Sequence, residues 1–588
     1  MRSQASSNEM RTIIRYNFKK FWTVPALGLF WLLVCGFLPI ILSQSDQEYA
    51  LTSAALNENP GYLIGILILA VCSGMTVFSY LQNPGASNFI HSLPVSRGKL
   101  FAANVISGLL MIIGPLIVNC ILMSLLAGNG MFLKWLAATF VSCFAIYTVT
   151  VFAATISGNT LMHFFNAGFF NCILTLIILT VYDILSVLLV GYAPSDGWIT
   201  FLLHSNALTA FIGNEVMRAL MCGIYLVVGL AALAIGWTIY KKRPIERTGN
   251  SVVFPWVRSV LFLICIFSGA ILSGLLFGEI MNADGAVTFN YITIIGMVAG
   301  ALIVYVVGSL MIDRTAKIFT KRNMLPAAIA LVLAFGVTGI IGAGMFGYSS
   351  YVPDAKDVKA VYLDTTSDVL FTAYDGEGGG NSFRGEGLYY KDTGTKAIEI
   401  DGNMVLGMTQ KETIDIVRQL HQGLIDQDRE KGYNVGSVEF VYELNNGKKI
   451  RRSYKLYTNK WEEYEIADFD RSLTDPVKAF YNCKEFKDVY SLHNVRPVFF
   501  EKGKVVYWPD IYKDAFYAIP REDVDSLVEA LEQDFQESTF EESMKYKGEV
   551  DFTIPGETED EEYNLSIPII ESGKHMKAWV AAHEDLVK

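Results

Sequence analysis

The chain of 588 residues is poor in charge and poorer still in recognisable chemistry. Only 18% of it is charged against 52% hydrophobic, which disfavours a soluble enzyme and a disordered chain. There is no GxxxxGK(S/T), so no backbone nest with its lysine can cradle ATP phosphates. The absence of HExxH, of any CxxC pair and of a Cys/His cluster argues against zinc, and no metal site is expected. No GxSxG elbow occurs, and His421, His493, His575 and His583 are scattered, so no catalytic residue is expected and a membrane enzyme is the least supported reading. Of the eight cysteines only Cys483 lies in a polar stretch, which therefore cannot hold a disulfide of its own; the others sit in apolar runs as small hydrophobes.

What is present falls into two parts. Up to about Tyr348 apolar runs dominate and the net charge is +7; beyond it the net charge is −18 and the sequence reads as a water-soluble domain whose acidity excludes nucleic acid as a partner. A helix needs roughly 20 apolar residues to cross the hydrocarbon. Segments near Trp22–Leu42, Gly61–Leu81, Phe101–Leu126, Trp135–Ser157, Phe165–Tyr192, Val216–Tyr240, Val257–Phe277, Asn290–Ile312 and Leu325–Phe346 meet that length. The first is too long for a signal peptide and lacks a clear cleavage site, so it reads as a retained anchor. One set of loops and ends holds 16 Lys and Arg, the other only Lys134 and Arg218, which predicts a cytoplasmic N-terminus. The expected fold class is a polytopic α-helical membrane protein with about nine transmembrane helices and a C-terminal α+β extracytoplasmic domain, located in the plasma membrane.

Two elements on the cytoplasmic side stand out. Met10, Ile13, Ile14, Phe18 and Phe21 recur with helical spacing while Arg11, Arg15, Lys19 and Lys20 occupy other positions, predicting an amphipathic helix along the inner interface, or simply a charged topology anchor. In the run NPGASNFIHSLPVSRGKLF, Asn83 can cap a helix with Pro84 at its first position, and Pro94 ends it. One to two turns would present Phe89, Ile90 and Leu93 on one side. Arg97 and Lys99 then fall in the first turn of the third span, where the helix dipole disfavours them by up to about 1 kcal/mol each, so lipid phosphates or an acidic groove on a partner are expected to offset them.

The run HSLPVSRGKLFAANVISGLL, the amphipathic leading helix, six spans up to Tyr240 and a broken apolar segment after the fifth span resemble the permease subunit of ABC-2 type transporters. The resemblance covers about the first 240 residues. It implies a coupling helix at Asn83–Leu93, with Arg97 just beyond, docking on a separate ATPase chain that binds ATP and Mg. It further implies a second permease, identical or paralogous. Three additional spans and the outer domain depart from the six-span pattern and resemble a Firmicutes-type subgroup related to acetoin-associated and peptide-antibiotic-associated systems. The implied organisation is a leading helix at 1–21, a permease core at 22–240, additional spans at 241–348 and the outer domain at 349–588, working as the transport subunit of an exporter with no ATPase site of its own. A membrane-anchored sensor with an outer ligand-binding domain is the alternative.

Within the spans, Asp183 is the carboxylate set deepest in an apolar run, and Arg218 is its candidate partner. The pair reads as a pathway or gating element, or as a structural ion pair. Asn104, Asn119, Asn166, Asn171 and His163 read as interhelical glue. The segment APSDGWITFLLHSNALTAFIGNE reads as two short re-entrant or interfacial helices, or as a surface loop.

In the outer domain DVKAVYLD and GSVEFVYEL read as strands, the latter turning through Asn446-Gly447 into KKIRRSYKLY. A Thr409/Glu412 capping box predicts a helix to about Arg429. Further helices are expected from Arg521 to about Phe535 and from Lys574 to Val587, with two subdomains meeting near Asp475-Pro476. The loop holding Asp375 and Glu377 lacks EF-hand spacing and reads as a hairpin loop, and ETEDEE as solvated acidic surface. The domain is expected either to capture or screen a substrate, a cationic peptide in the leading version, or to serve as a spacer or dimerisation module.

Overall fold

The computed structural model describes residues 2–42, 47–194, 197–212, 215–281, 287–314, 317–365, 397–400, 403–427, 432–458, 469–495, 497–510, 516–555 and 562–584. Among them nine helices are long and apolar enough to cross a membrane: Thr23–Leu42, Tyr49–Val77, Arg97–Ala127, Met131–Ile156, Thr160–Leu188, Arg218–Lys242, Pro255–Met281, Tyr291–Asp313 and Lys321–Gly342. The chain is a multi-pass helical membrane protein. The loop of Asp375 and Glu377 and most of ETEDEE lie outside the described residues.

Contacts divide the chain into two units, one of residues 1–183, 195–274 and 294–336, the other of residues 184–194, 275–293 and 337–588. In the first unit the opening spans meet through small residues. A Cβ on Gly28 would strike Leu69, one on Gly61 would strike Cys35, and one on Gly65 would strike Trp31. Lipid offers no hydrophobic drive between helices, so close approach and polar glue hold them. Asn119 donates to Tyr62 Oη (3.3 Å), Asn166 to Ser157 Oγ (2.8 Å), and the His163 ring bonds Thr150 O (3.0 Å). The expected asparagine and histidine ties are therefore made.

Two sequence expectations are corrected here. The second span begins earlier than the Gly61 expected: a helix at Gln47–Ala55, which no apolar run marked, leads into helix Pro60–Val77. The segment after the fifth span holds one short helix, Gly197–His204, followed by turns through Ile212 rather than a second helix. Those turns still insert Ala207, Ala210 and Phe211 into the core.

In the second unit the polar domain forms three sheets among its described residues: β1 (Val358–Thr365), β4 (Tyr433–Leu444) and β5 (Lys449–Thr458) in the order β1-β4-β5; a hairpin of β2 (Ala397–Ile400) and β3 (Asn403–Leu406); and β6 (Lys504–Trp508), β7 (Tyr517–Ala518), β8 (Tyr546–Pro555) and β9 (Glu562–Ile570) in the order β7-β6-β8-β9. All pairings are antiparallel. The expected hairpin turns where Gly447 N donates to Leu444 O (2.9 Å), with Gly447 at φ +81°, a left-handed position suited to glycine.

Helices Lys411–Asp426 and Arg471–Asn482 close one core with β1, β4 and β5. Helices Val524–Glu537 and Lys574–Ala582 close a second with β6 and β8. The change of core falls near Ser491, not at Asp475-Pro476, because Pro476 lies inside helix Arg471–Asn482. Its missing N–H leaves the Ser472 carbonyl free of that helix bond, and Gly423 of the neighbouring helix packs directly against this carbonyl.

The capping box is also corrected. Helix Lys411–Asp426 starts under Glu485, whose carboxylate accepts from Thr409 N (2.6 Å), Thr409 Oγ1 (3.1 Å) and Gln410 N (3.0 Å). It ends at Asp426 rather than near Arg429. The other two expected helices run Val524–Glu537, after a single turn at Arg521–Asp523, and Lys574–Ala582, so the last stops short of Val587.

Beside these cores Lys487 is buried, its Nζ donating to Phe535 O (2.5 Å) and lying over the rings of Tyr481 (3.9 Å) and Phe535 (4.2 Å). Burial pulls its pKa from 10.5 down to about 7. Between those values the unfolded chain holds the proton more firmly than the folded one, so stability rises with pH across this window and falls as pH drops towards 7. Lys487→Met is expected to flatten that rise, so that the variant gains on the wild type as pH falls from 9.5 towards 7. Limited proteolysis of the whole protein between pH 7 and 9.5 checks it; the same pH slope in the variant would remove Lys487 as its source.

Candidate functional site

The short helix between the second and third spans runs Pro84–Ser92. Asn83 Oδ1 accepts from Ala86 N (3.1 Å), Pro84 occupies the first position, and Leu93 leaves the helix before Pro94. Ser96 then caps the third span through Lys99 N (3.4 Å). All of this follows from local side-chain chemistry.

The helix has two faces. Phe89 is 67% exposed and Leu93 38%, with Asn88, Ser92 and Pro94 exposed around them. Ile90 does not share that face: it is half-buried against the core of the first unit, next to buried Ser87. At helical spacing Phe89 and Leu93 stack four apart, while Ile90 lies 100° round.

Behind Ile90 a chain of hydrogen bonds fixes the helix. The Nδ1 of His91 lies 2.7 Å from Ser87 O, a carbonyl that can only accept, so this nitrogen carries the proton. The other ring nitrogen then accepts from Tyr240 Oη (3.3 Å), which in turn accepts from Tyr80 Oη (3.0 Å). Burial, aided by the charges of Arg97 and Arg243, holds the His91 pKa below its ordinary 6.5 and so keeps the ring neutral in its accepting form. This attachment is complete above pH 6.5 and is lost as pH falls through the lowered value.

Arg243 anchors the same corner. Buried at the end of the sixth span, its guanidinium donates to Ala154 O (2.9 Å), Thr155 O (2.7 Å) and Leu81 O (2.7 Å), joining the ends of the second, fourth and sixth spans. Burial lowers its pKa to about 10, which leaves it charged at neutral pH. Lys241 and Lys242 beside it are exposed. Pro244 is the sequence signal that separates them, because a residue before proline is pushed out of helical conformation and its side chain is redirected. Tyr80, His91, Tyr240 and Arg243 were not legible as a set.

The two first-turn cations of the third span are satisfied within the chain, which corrects the expectation that lipid or a partner must offset them. Arg97 donates to Lys241 O (3.0 Å) and Arg243 O (3.3 Å), at the end of a helix where positive charge is favoured. Lys99 pairs with Glu9 (2.9 Å).

The leading helix, Arg2–Phe21, spends its apolar stripe on protein. Ile13, Phe18 and Phe21 pack against the core, Met10 and Ile14 are half-buried, and Arg11, Arg15, Lys19 and Lys20 face outward. Its most buried described member is polar: Asn17 donates to Asn104 Oδ1 (2.8 Å) and Ser107 Oγ (3.1 Å) of the third span. Glu9 meets position 99 and Asn17 meets 104 and 107, so the two helices run side by side in the same direction.

At the opposite end of the spans Asp183 is half-buried, and buried Arg218 donates to Ala55 O (3.0 Å) and Phe211 O (3.1 Å). Among the described residues no cluster of three or more His, Cys, Asp or Glu could hold a metal ion. In comparisons with known proteins no family model, no curated protein and no solved structure matches the chain.

Proposed function

We propose that the chain is the membrane subunit of an ATP-driven transporter of the ABC-2 permease kind, an exporter, moved by a separate ATPase chain that docks on helix Pro84–Ser92. The observation that supports this reading is the two-faced helix: an apolar face left bare at Phe89 and Leu93, and a back face tied through His91 to Tyr240 of the sixth span and through it to Tyr80 after the second. Elements held by packed cores and fixed hydrogen bonds move as bodies, so a push on the bare face reaches the spans. ATP and Mg belong to the partner chain; this chain contributes the contact and, with a second permease, the pathway.

In this reading the Lys- and Arg-rich ends are cytoplasmic and the domain beyond Ser349 is extracytoplasmic. Its net charge of −18 draws cations to the domain over a Debye length of about 8–10 Å, which suits capture of a cationic substrate. Asp183 and Arg218, at the end of the spans opposite the Lys- and Arg-rich loops, are the candidates for gating.

Affinity purification of the full chain from its native membrane is expected to bring down a chain with a GxxxxGK(S/T) loop in stoichiometric amount. Protease added to intact cells, or to spheroplasts where an outer membrane intervenes, is expected to remove the domain beyond Ser349. A chain that purifies without any nucleotide-binding partner would favour the sensor alternative, and full protection from protease would reverse the orientation.

A further inference from the structure

A second feature of the first unit lies outside the proposed coupling surface. The segment joining the sixth and seventh spans and the facing ends of the eighth and ninth border a cavity of about 450 Å³ whose lining includes Arg247, Arg258, Arg314, Arg322 and one carboxylate, Asp313. Four guanidinium groups against one carboxylate leave the lining strongly positive. That carboxylate is already engaged: it accepts from Arg258 (2.5 Å), Arg322 (3.1 Å) and Asn323 (2.6 Å). It cannot also neutralise Arg247 and Arg314.

Arg258 is buried in the wall, its guanidinium donating to Asp313 and Asn323. Its side chain is only 7% exposed, and its Nε is buried with no hydrogen-bond partner among the described residues. The cavity wall is also built rather than loose. Gly249 N donates to Gly158 O (2.8 Å), Gly158 N to Ser251 O (3.3 Å) and Val253 N to Ile156 O (3.0 Å), pinning the linker to the turn between the fourth and fifth spans.

We propose that this cavity binds a phosphate group. Arginine forks match phosphate oxygens in pairs, and basic pockets between spans on the Lys- and Arg-rich side are suited to the headgroups of anionic lipids. A bound phosphate would tie Arg247, on the segment that leaves the sixth span, to Arg258, Arg314 and Arg322 at the ends of the three additional spans. Both an anionic phospholipid and free phosphate carry the required chemistry.

The test uses the full chain purified in detergent, read by thermal midpoint and by native mass spectrometry. Phosphatidylglycerol, phosphatidylcholine and inorganic phosphate are the three probes. Retention of phosphatidylglycerol at least tenfold over phosphatidylcholine is expected, with a raised midpoint. Arg247→Gln, Arg314→Gln and Arg322→Gln together are expected to abolish that preference, while Arg11→Gln, Arg15→Gln and Lys19→Gln, which remove three exposed cations elsewhere, leave it intact. Arg258 is kept so that the buried ion pair survives; should the triple variant still misfold, Arg314→Gln alone is expected to reduce the preference severalfold. Stabilisation by millimolar inorganic phosphate that competes with the lipid supports the site and makes free phosphate its source; no effect of inorganic phosphate makes the lipid its source. Absence of any preference, or equal loss in the control variant, overturns the proposal.

Discussion

Placing carboxylates at both bare apolar positions of the short helix, Phe89→Asp with Leu93→Asp, is expected to release the ATPase chain while the protein still reaches the membrane in normal amount. Both side chains are exposed, at 67% and 38%, so the substitutions should change the stability of the chain alone by about 0.5 kcal/mol or less each. In a docked interface the same positions would be central apolar anchors, whose loss costs about 2–4 kcal/mol, or roughly thirty- to a thousandfold in Kd. Ile90→Asp is the contrast. Ile90 packs inward, so its variant is expected to lower the protein level before any effect on docking can be read. ATPase recovered per permease after mild solubilisation measures the difference; wild-type recovery in the double variant would move the docking site elsewhere.

Arg243→Ala is expected to have the largest structural effect of any single change at this corner. Truncation strands the carbonyls of Ala154, Thr155 and Leu81. At about 1–3 kcal/mol for each stranded group, the total cost approaches the whole stability of an ordinary domain, roughly 5–15 kcal/mol. Little folded protein should accumulate. Arg243→Lys keeps the charge but replaces a planar fork with a point donor, so an intermediate level is expected. Size-exclusion profiles of tagged protein extracted from membranes check both, and a wild-type profile for Arg243→Ala would show that the three carbonyls find other donors.

Legibility in the sequence followed the range of the interactions. The spans could be read because their length and apolarity are set by the bilayer rather than by any partner in the chain. The short helix could be read because Asn83, Pro84 and Pro94 act on their own neighbours. Which face of that helix turns inward could not, since the choice rests on His91 meeting Tyr240, far along the chain. Asn17 was hidden within an apolar stripe for the same reason, because its partners are on the third span.

The polar domain repeats the lesson with carboxylates. Glu485 serves the start of helix Lys411–Asp426, Glu532 accepts from Ser491 Oγ and Leu492 N, and Asp534 accepts from His575 N and Met576 N at the start of the last described helix. Each reaches across the fold, whereas a capping box can be sought only three residues away. Pro476 misled in the opposite direction. A proline inside a helix usually marks a boundary, but here the freed Ser472 carbonyl is covered by Gly423 of another helix.

Photo-crosslinking from the bare face tests the proposed coupling surface most directly. A benzophenone side chain installed at Asn88, exposed beside Phe89, should capture the ATP-hydrolysing chain in membranes. The same group at Leu133, exposed at the start of the fourth span and at the other end of the bundle, should not. Capture from Asn88, abolished by Phe89→Asp with Leu93→Asp and absent from Leu133, is the expected result; capture of that chain from Leu133 with none from Asn88 would contradict it.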